Sequence, residues 1–168
     1  TADPHAFNAL KNDYPGLPPV EHISQFVTRN VKSGAIRLTG SNGDGKVYTY
    51  HDPCYLGRHN GIFDEPRGVL EKVPGLELME MPDSRKDSLC CGGGGGRIWM
   101  ETPKDERFSD LRVEQAAETG AEVLATSCPY CISNFEESRL AFDDGDAPEV
   151  KDITEVIRDA VVGNGGAP

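Results

Sequence analysis

Five cysteines carry whatever chemistry this chain of 168 residues performs: Cys54, the neighbours Cys90 and Cys91, and Cys128 with Cys131. The three groups are separated by 35 and 36 residues, and every cysteine belongs to the pattern. Thiolates are soft ligands suited to zinc and to iron–sulfur clusters. A disulfide framework is normally shorter and even in count, and adjacent cysteines do not close a relaxed disulfide with each other. Zinc takes four ligands in a tetrahedron and leaves one thiol spare. An iron–sulfur cluster uses all five, with adjacent sulfurs reaching different irons. A dithiol redox pair is the third reading the residues leave open.

The sequence around these thiols favours thiolates. Cys128 stands at a helix N-cap position with Pro129 at the first helical position, and Cys131 lies in the same turn. Free backbone N–H groups and the positive end of the helix dipole both lower a thiol pKa. Cys90-Cys91 runs into Gly92, Gly93, Gly94, Gly95 and Gly96, whose missing Cβ atoms let backbone amides approach sulfur. A phosphate cradle is the other use for such glycines, but no Lys-Ser/Thr follows them. Gly92, Gly93 and Gly94 are therefore the expected cofactor contacts.

Other side chains fall near the same points. His51 precedes Asp52-Pro53-Cys54 and is the candidate catalytic residue, able to hydrogen-bond a cluster sulfur or pass a proton to a substrate thiolate. Arg58 and Arg97 are candidates for attracting an anionic substrate or screening cluster charge. Trp99 is expected to pack beneath the glycine loop. His5, His22 and His59 read as structural. The stretch from Arg107 to Thr119 puts Phe108, Leu111, Val113, Ala116 and Ala117 on its expected core face.

Strand-like runs lie at Val47 to Tyr50, Leu76 to Glu80 and Glu122 to Thr126. Helical patterns cover Glu65 to Val73 after an Asp64 cap, Arg107 to Thr119 before Gly120, Pro129 to Leu140, and Ile153 to Val162. Strands alternating with helices predict an α/β fold: a mostly parallel sheet with flanking helices. Each cysteine group then falls just past the carboxyl end of a strand, the edge where ligands collect in open parallel sheets.

Acidic residues number 28 against 17 basic ones, for a net charge of −11. That balance excludes nucleic acid as a main partner, since phosphate contacts need clustered Lys and Arg. The acid excess reads as a solvated surface or, with only 7 of the 17 basic residues being Lys, as adaptation to salt. No apolar run reaches the ~18 residues of a membrane span, and no signal-peptide pattern opens the chain. Paired thiols outside a disulfide framework point to a reducing compartment, so a cytoplasmic location is expected.

The chain also repeats itself. Thr1-Ala2-Asp3-Pro4-His5-Ala6 lines up with Thr126-Ser127-Cys128-Pro129-Tyr130-Cys131, and Val20-Glu21-His22-Ile23 with Val150-Lys151-Asp152-Ile153, at offsets of 125 and 130 residues. Residues 1–38 thus read as the end of a first repeat, 39–45 as a Gly-rich linker, and 46–168 as a complete second repeat. On this reading the chain begins inside a longer protein.

Together, Tyr50-His51-Asp52-Pro53-Cys54-Tyr55-Leu56-Gly57-Arg58, Cys90-Cys91-Gly92 with Arg97-Ile98-Trp99-Met100-Glu101, and Cys128-Pro129-Tyr130-Cys131 resemble the cysteine-rich CCG domain. That domain occurs in the catalytic subunits of heterodisulfide reductases and in related iron–sulfur oxidoreductases. The match resembles most the branch of D-type heterodisulfide reductase chains and flavoprotein:quinone oxidoreductases. The resemblance implies tandem repeats, the first truncated here, and a [4Fe–4S] cluster, non-cubane in type, on Cys54, Cys90, Cys91, Cys128 and Cys131. It implies a ferredoxin-like module and a flavoprotein as partners, a small disulfide or a quinone as acceptor, and, through the parent protein, the cytoplasmic face of a membrane. The alternative is a zinc-stabilised or metal-free docking domain without redox activity. One departure stands out: the first repeat should read Cys-Pro-His-Cys and reads Asp3-Pro4-His5-Ala6. Asp3 can still cap a helix, so the fold is expected to survive there while a thiolate site is not, whether the change is natural or engineered.

Overall fold

The computed structural model describes residues 1–39, 45–103, 106–142 and 146–162. The Gly-rich linker lies mostly outside the described residues. Two helices come first, α1 (Pro4–Asn12) and α2 (Ile23–Lys32), followed by β1 (Val47–His51), α3 (Asp64–Leu70) and β2 (Glu77–Leu78). After two short 3₁₀ turns come α4 (Phe108–Glu118), β3 (Val123–Thr126), α5 (Pro129–Arg139), β4 (Glu149–Asp152) and α6 (Ile153–Val162).

The four strands form one parallel sheet in the order β2-β1-β3-β4. The two central strands, Val-Tyr-Thr-Tyr-His and Val-Leu-Ala-Thr, are buried almost throughout, as expected for a sheet covered on both faces. Alternation along them sorts the core. Tyr48, Tyr50, Val123 and Ala125 pack against α2, α3 and α6 through Val27, Val69, Leu70, Ile153 and Val156. Leu124 and Val150 share the opposite face with Val113 and Ala116 of α4 and Phe135 of α5. Cys91, Cys128 and Cys131 belong to this second core.

The α/β architecture with a parallel sheet agrees with the sequence reading. β4 is a fourth strand beyond the three expected from the sequence, and β2 is shorter than Leu76 to Glu80, with only two paired residues. Asp64 does not cap α3. Phe63 occupies the cap position and no side-chain cap bond forms, because the Asp64 carboxylate instead meets Arg85 Nη1 at 2.6 Å.

The largest correction concerns α4. Phe108 and Leu111 are exposed, and the buried stripe is Ser109, Arg112, Val113 and Ala116. These positions keep the helical spacing of one face, but the helix is rotated from the apolar-only expectation because Arg112 finds four polar partners inside.

α1 carries Asp3 at its N-cap, where the carboxylate accepts from the His5 N–H at 2.8 Å, with Pro4 as first helical residue. Phe7 anchors it on Leu56 and Ile62. At the start of α2, His22 is the cap: its side chain accepts from the Ser24 N–H while Gln25 reaches back to the His22 N–H.

Candidate metal centre

The strand order explains why remote cysteines meet. From β1 the chain moves outward to β2, then crosses back to build β3 on the other side of β1. The carboxyl ends of β1 and β3 therefore flank a topological switch point, where a crevice opens in a parallel sheet. Cys54 follows β1, Cys128 and Cys131 follow β3, and Cys90-Cys91 lies on the connection that crosses between them.

The turn after β1 is held by backbone bonds from the Leu56 and Gly57 N–H groups to the Pro53 carbonyl, at 3.0 and 2.8 Å. Asp52 ties this turn to its surroundings. Its two carboxylate oxygens accept from Arg67 Nη1 and Nη2, and Oδ2 also accepts from the Arg85 backbone N–H at 2.7 Å. That last bond brings the loop leading to Cys90 against the turn carrying Cys54. Arg58 donates to the Ser88 carbonyl and Arg112 Nη2 to the Ser88 hydroxyl at 3.1 Å, closing the same loop from both sides.

All five cysteines are free thiols, and their side chains form one continuous series. Each thiol interacts electrostatically with its neighbour: Cys54 with Cys90, Cys90 with Cys91, Cys91 with Cys131, and Cys131 with Cys128. The protons are unevenly shared. Bonds from Cys54 and Cys91 pull the Cys90 thiol far down, helped by the Gly92 N–H. Cys128 is lowered by its bond from Cys131, with the backbone N–H groups of Cys131 and Tyr130 at the α5 N-terminus adding to the effect. Cys54 is raised by its bond to Cys90 and by burial, and Cys131 by its bonds to Cys128 and Cys91 and by burial. For Cys91, the bond from Cys131 lowers the thiol, but the bond to Cys90 and burial outweigh it and push it up to about 12.

The glycine loop brings one amide to sulfur: Gly92 has φ +81° and donates its N–H to Cys90 Sγ at 3.4 Å. A Cβ on Gly93 would lie 2.6 Å from Asn134 Nδ2, which itself donates to the Cys91 carbonyl at 2.9 Å. Gly94 begins the next turn with open space around it. Arg97 is exposed and lines a cavity of about 350 Å3 beside Cys91. Trp99 is not packed beneath the loop. It is 86% exposed on the wall of that cavity, because Gly95 and Gly96 take left-handed φ values of +63° and +82° and turn the chain outward.

His51 is fully enclosed at the end of β1, its ring edge-on to Phe135 with centroids 4.8 Å apart. Burial, reinforced by the Arg112 and Arg58 cations, holds it well below the usual imidazole range and therefore neutral. One of its ring nitrogens and the sulfurs of Cys91 and Cys131 all lie within 4.8 Å of one another.

Arg112 carries no signal in the sequence that would single it out. Its side chain is inaccessible, and it donates to His51 Nδ1, the Asp83 carbonyl, Gln115 Oε1 and Ser88 Oγ. Among the described residues it makes no ion pair, and desolvation pushes it down to about 10, so it stays charged at neutral pH. A buried cation without a carboxylate is costly unless another anion answers it. The anions whose fields reach it are the carboxylates of Asp52, Asp83 and Glu80, none of them within ion-pair distance. Asp52 and Arg67 likewise escape sequence reading as a pair. An Asp flanked by His and Pro carries no periodic signal, and its partner lies 15 residues away.

The family model for the CCG cysteine-rich domain matches residues 48–136, from β1 through most of α5. The chain belongs to the CCG family. It is 37% identical over 97% of its length to a probable iron–sulfur-binding oxidoreductase, FadF, of Bacillus subtilis. It is 37% identical over 92% of its length to an EtfAB:quinone oxidoreductase of Syntrophomonas wolfei. To the D-type chain of the dihydromethanophenazine:CoB–CoM heterodisulfide reductase of Methanosarcina barkeri it is 36% identical over 92% of its length. The chain spans 23%, 22% and 38% of these three relatives. Among the described residues, no helix is long and apolar enough to cross a membrane.

Proposed function

We propose that this CCG domain binds a [4Fe–4S] cluster through Cys54, Cys90, Cys91, Cys128 and Cys131. On this reading it serves as the electron-transfer domain of an oxidoreductase, between a flavin or ferredoxin-type donor and a disulfide or quinone acceptor. The observation that carries the reading is the gathering of five free thiols at the switch point, with Cys91 and Cys131 beside His51. Relatives named as iron–sulfur and quinone or heterodisulfide oxidoreductases support the same class.

A bound cluster supplies one-electron chemistry at a potential set by its thiolates and by the hydrogen bonds they accept. The chain supplies the rest. Five sulfurs hold the group, the Gly92 amide donates to Cys90, and Met81, Val113 and Phe135 keep water from the inner side. Cys54 and Cys90 are only partly buried, leaving an outer side within reach of a partner. The cavity bordered by Cys91, Gly92, Arg97, Trp99 and Phe108 gives a small acceptor access, and exposed Arg97, without an ion-pair partner among the described residues, suits an anionic one. Residues 1–38 belong in this proposal as the end of a preceding repeat whose own thiol site is replaced by Asp3 and Ala6. Ferredoxin-like and flavoprotein modules are its partners, at the cytoplasmic side of a membrane when the acceptor is a quinone.

The proximity of His51, Cys91 and Cys131 favours a second reading, a zinc-stabilised docking domain without redox work. Anaerobic purification with analysis of iron, acid-labile sulfide and zinc separates the two. We expect brown protein with about four irons and four sulfides per chain, and loss of both in Cys91→Ser and Cys131→Ser. Zinc near one per chain without sulfide overturns the proposal in favour of the second reading.

A further inference from the structure

The contact between Arg112 and His51 fixes where the proton on His51 sits. Arg112 Nε lies 3.2 Å from His51 Nδ1, and a guanidinium nitrogen only donates. Nδ1 must therefore present its lone pair, and a neutral ring then carries its single proton on Nε2. Ring rotation offers no escape, since Phe135 holds the imidazole edge-on and the surroundings are closed. A ring nitrogen and the sulfurs of Cys91 and Cys131 lie within 4.8 Å of one another, which puts sulfur within reach of the ring.

The geometry points to Arg112 as a positioning residue that locks His51 as an Nε2–H donor to the cysteine sulfurs, so that His51 tunes the centre without ligating it. The part that concerns a cluster rests on the function proposed above; the part that concerns the proton does not. An N–H bond to a ligand sulfur favours the more negative, reduced state of a cluster. Through His51, Arg112 supplies that bond, while its own charge is answered by Asp52, Asp83 and Glu80. A metal needs a nitrogen lone pair, and here that lone pair is committed to the guanidinium.

The test uses this chain labelled with 15N-histidine, first metal-free and then after anaerobic cluster assembly. In the metal-free chain, NMR should show His51 with an unprotonated Nδ1 and a protonated Nε2. Arg112→Gln should populate the other tautomer, and Arg112→Lys, which keeps the charge and a donor, should restore most of the native form. In the reduced cluster-loaded chain, pulsed EPR should show weak nitrogen coupling with an exchangeable proton, and Arg112→Gln should move the potential to more negative values. A protonated Nδ1 in the native chain overturns the inference, as does the strong coupling of a directly bound nitrogen. If Arg112→Gln fails to fold, the native spectrum still decides the tautomer, and His51→Phe replaces it in the potential measurement with the same expected direction. A chain that takes up no iron or sulfide defeats the proposed function alone, because the metal-free spectrum reads the proton independently.

Discussion

Asp52 and Arg67 meet through two parallel hydrogen bonds, Oδ1 to Nη1 at 2.7 Å and Oδ2 to Nη2 at 2.8 Å, with both side chains almost wholly inaccessible. Arg67 also donates to the half-exposed Glu80 and covers the Tyr50 ring at 5.2 Å. Burial by itself would lower the Arg67 pKa, but the bonds to Asp52 and Glu80 raise it, so the guanidinium is charged. Removing one partner leaves a buried charge, at a cost of about 3–5 kcal/mol. Asp52→Asn should sit near the low end, since Glu80 remains. Urea unfolding of the metal-free chain measures it, and a loss below about 1 kcal/mol would show that the clamp is not holding the Cys54 turn. In the Asp52→Asn, Arg67→Met double variant the loss should be smaller than the sum of the singles.

Gly93 and Asn134 form a second testable contact. A Cβ at residue 93 would press on the Asn134 amide, which holds the Cys91 carbonyl. Gly93→Ala should destabilise the chain by about 1–3 kcal/mol, as overpacking does. Asn134→Ala opens the space, so Gly93→Ala should cost clearly less in that background. Equal costs in both backgrounds would mean that the two residues do not touch.

Acid sensitivity should come from His22. Desolvation holds its pKa below the ordinary 6.5 while its ring caps α2 and faces the Ala2 carbonyl at 3.2 Å. In the unfolded chain His22 takes up a proton at a higher pH than in the fold. Its contribution to stability is therefore full above about pH 6.5 and is lost as pH falls toward the lower folded value. His22→Asn keeps a cap but removes the titration. Its stability should therefore decline less between about pH 7 and about pH 5, a range that brackets the ordinary imidazole value. Thermal unfolding across that range checks the slope, and identical slopes for both proteins would count against the assignment.

Trp99 is the single tryptophan and stands in solvent on the cavity wall. Its emission should be that of a hydrated indole, quenched readily by iodide. Trp99→Ala should change stability by no more than about 0.5 kcal/mol, as surface substitutions do. A blue-shifted, protected emission would instead put the ring under the glycine loop.

Much of the fold can be read from residue order. Apolar runs at β1 and β3 are continuous because both faces of the sheet are covered, and that makes them visible without partners. β4 is hidden because Glu149, Lys151 and Asp152 mask an edge strand with only Val150 well buried. The α4 face misleads because a periodic reading discards Arg as solvent-facing, whereas Arg112 replaces water by donating four hydrogen bonds, to His51, Asp83, Ser88 and, on its own helix, Gln115.

The types and spacing of the cysteines, the helix-starting Cys128-Pro129 step and the glycines after Cys91 are properties of the sequence itself, since local rules place them at strand and helix ends. What tertiary structure alone decided is how charge and protons are arranged around them. Asp52 finds Arg67, Arg112 finds His51 across 61 residues, and the thiols come together only after β1 and β3 lie side by side. Hydropathy patterns record which residues avoid water. They do not record which buried polar group will face which other, and that pairing sets the electrostatics of the site.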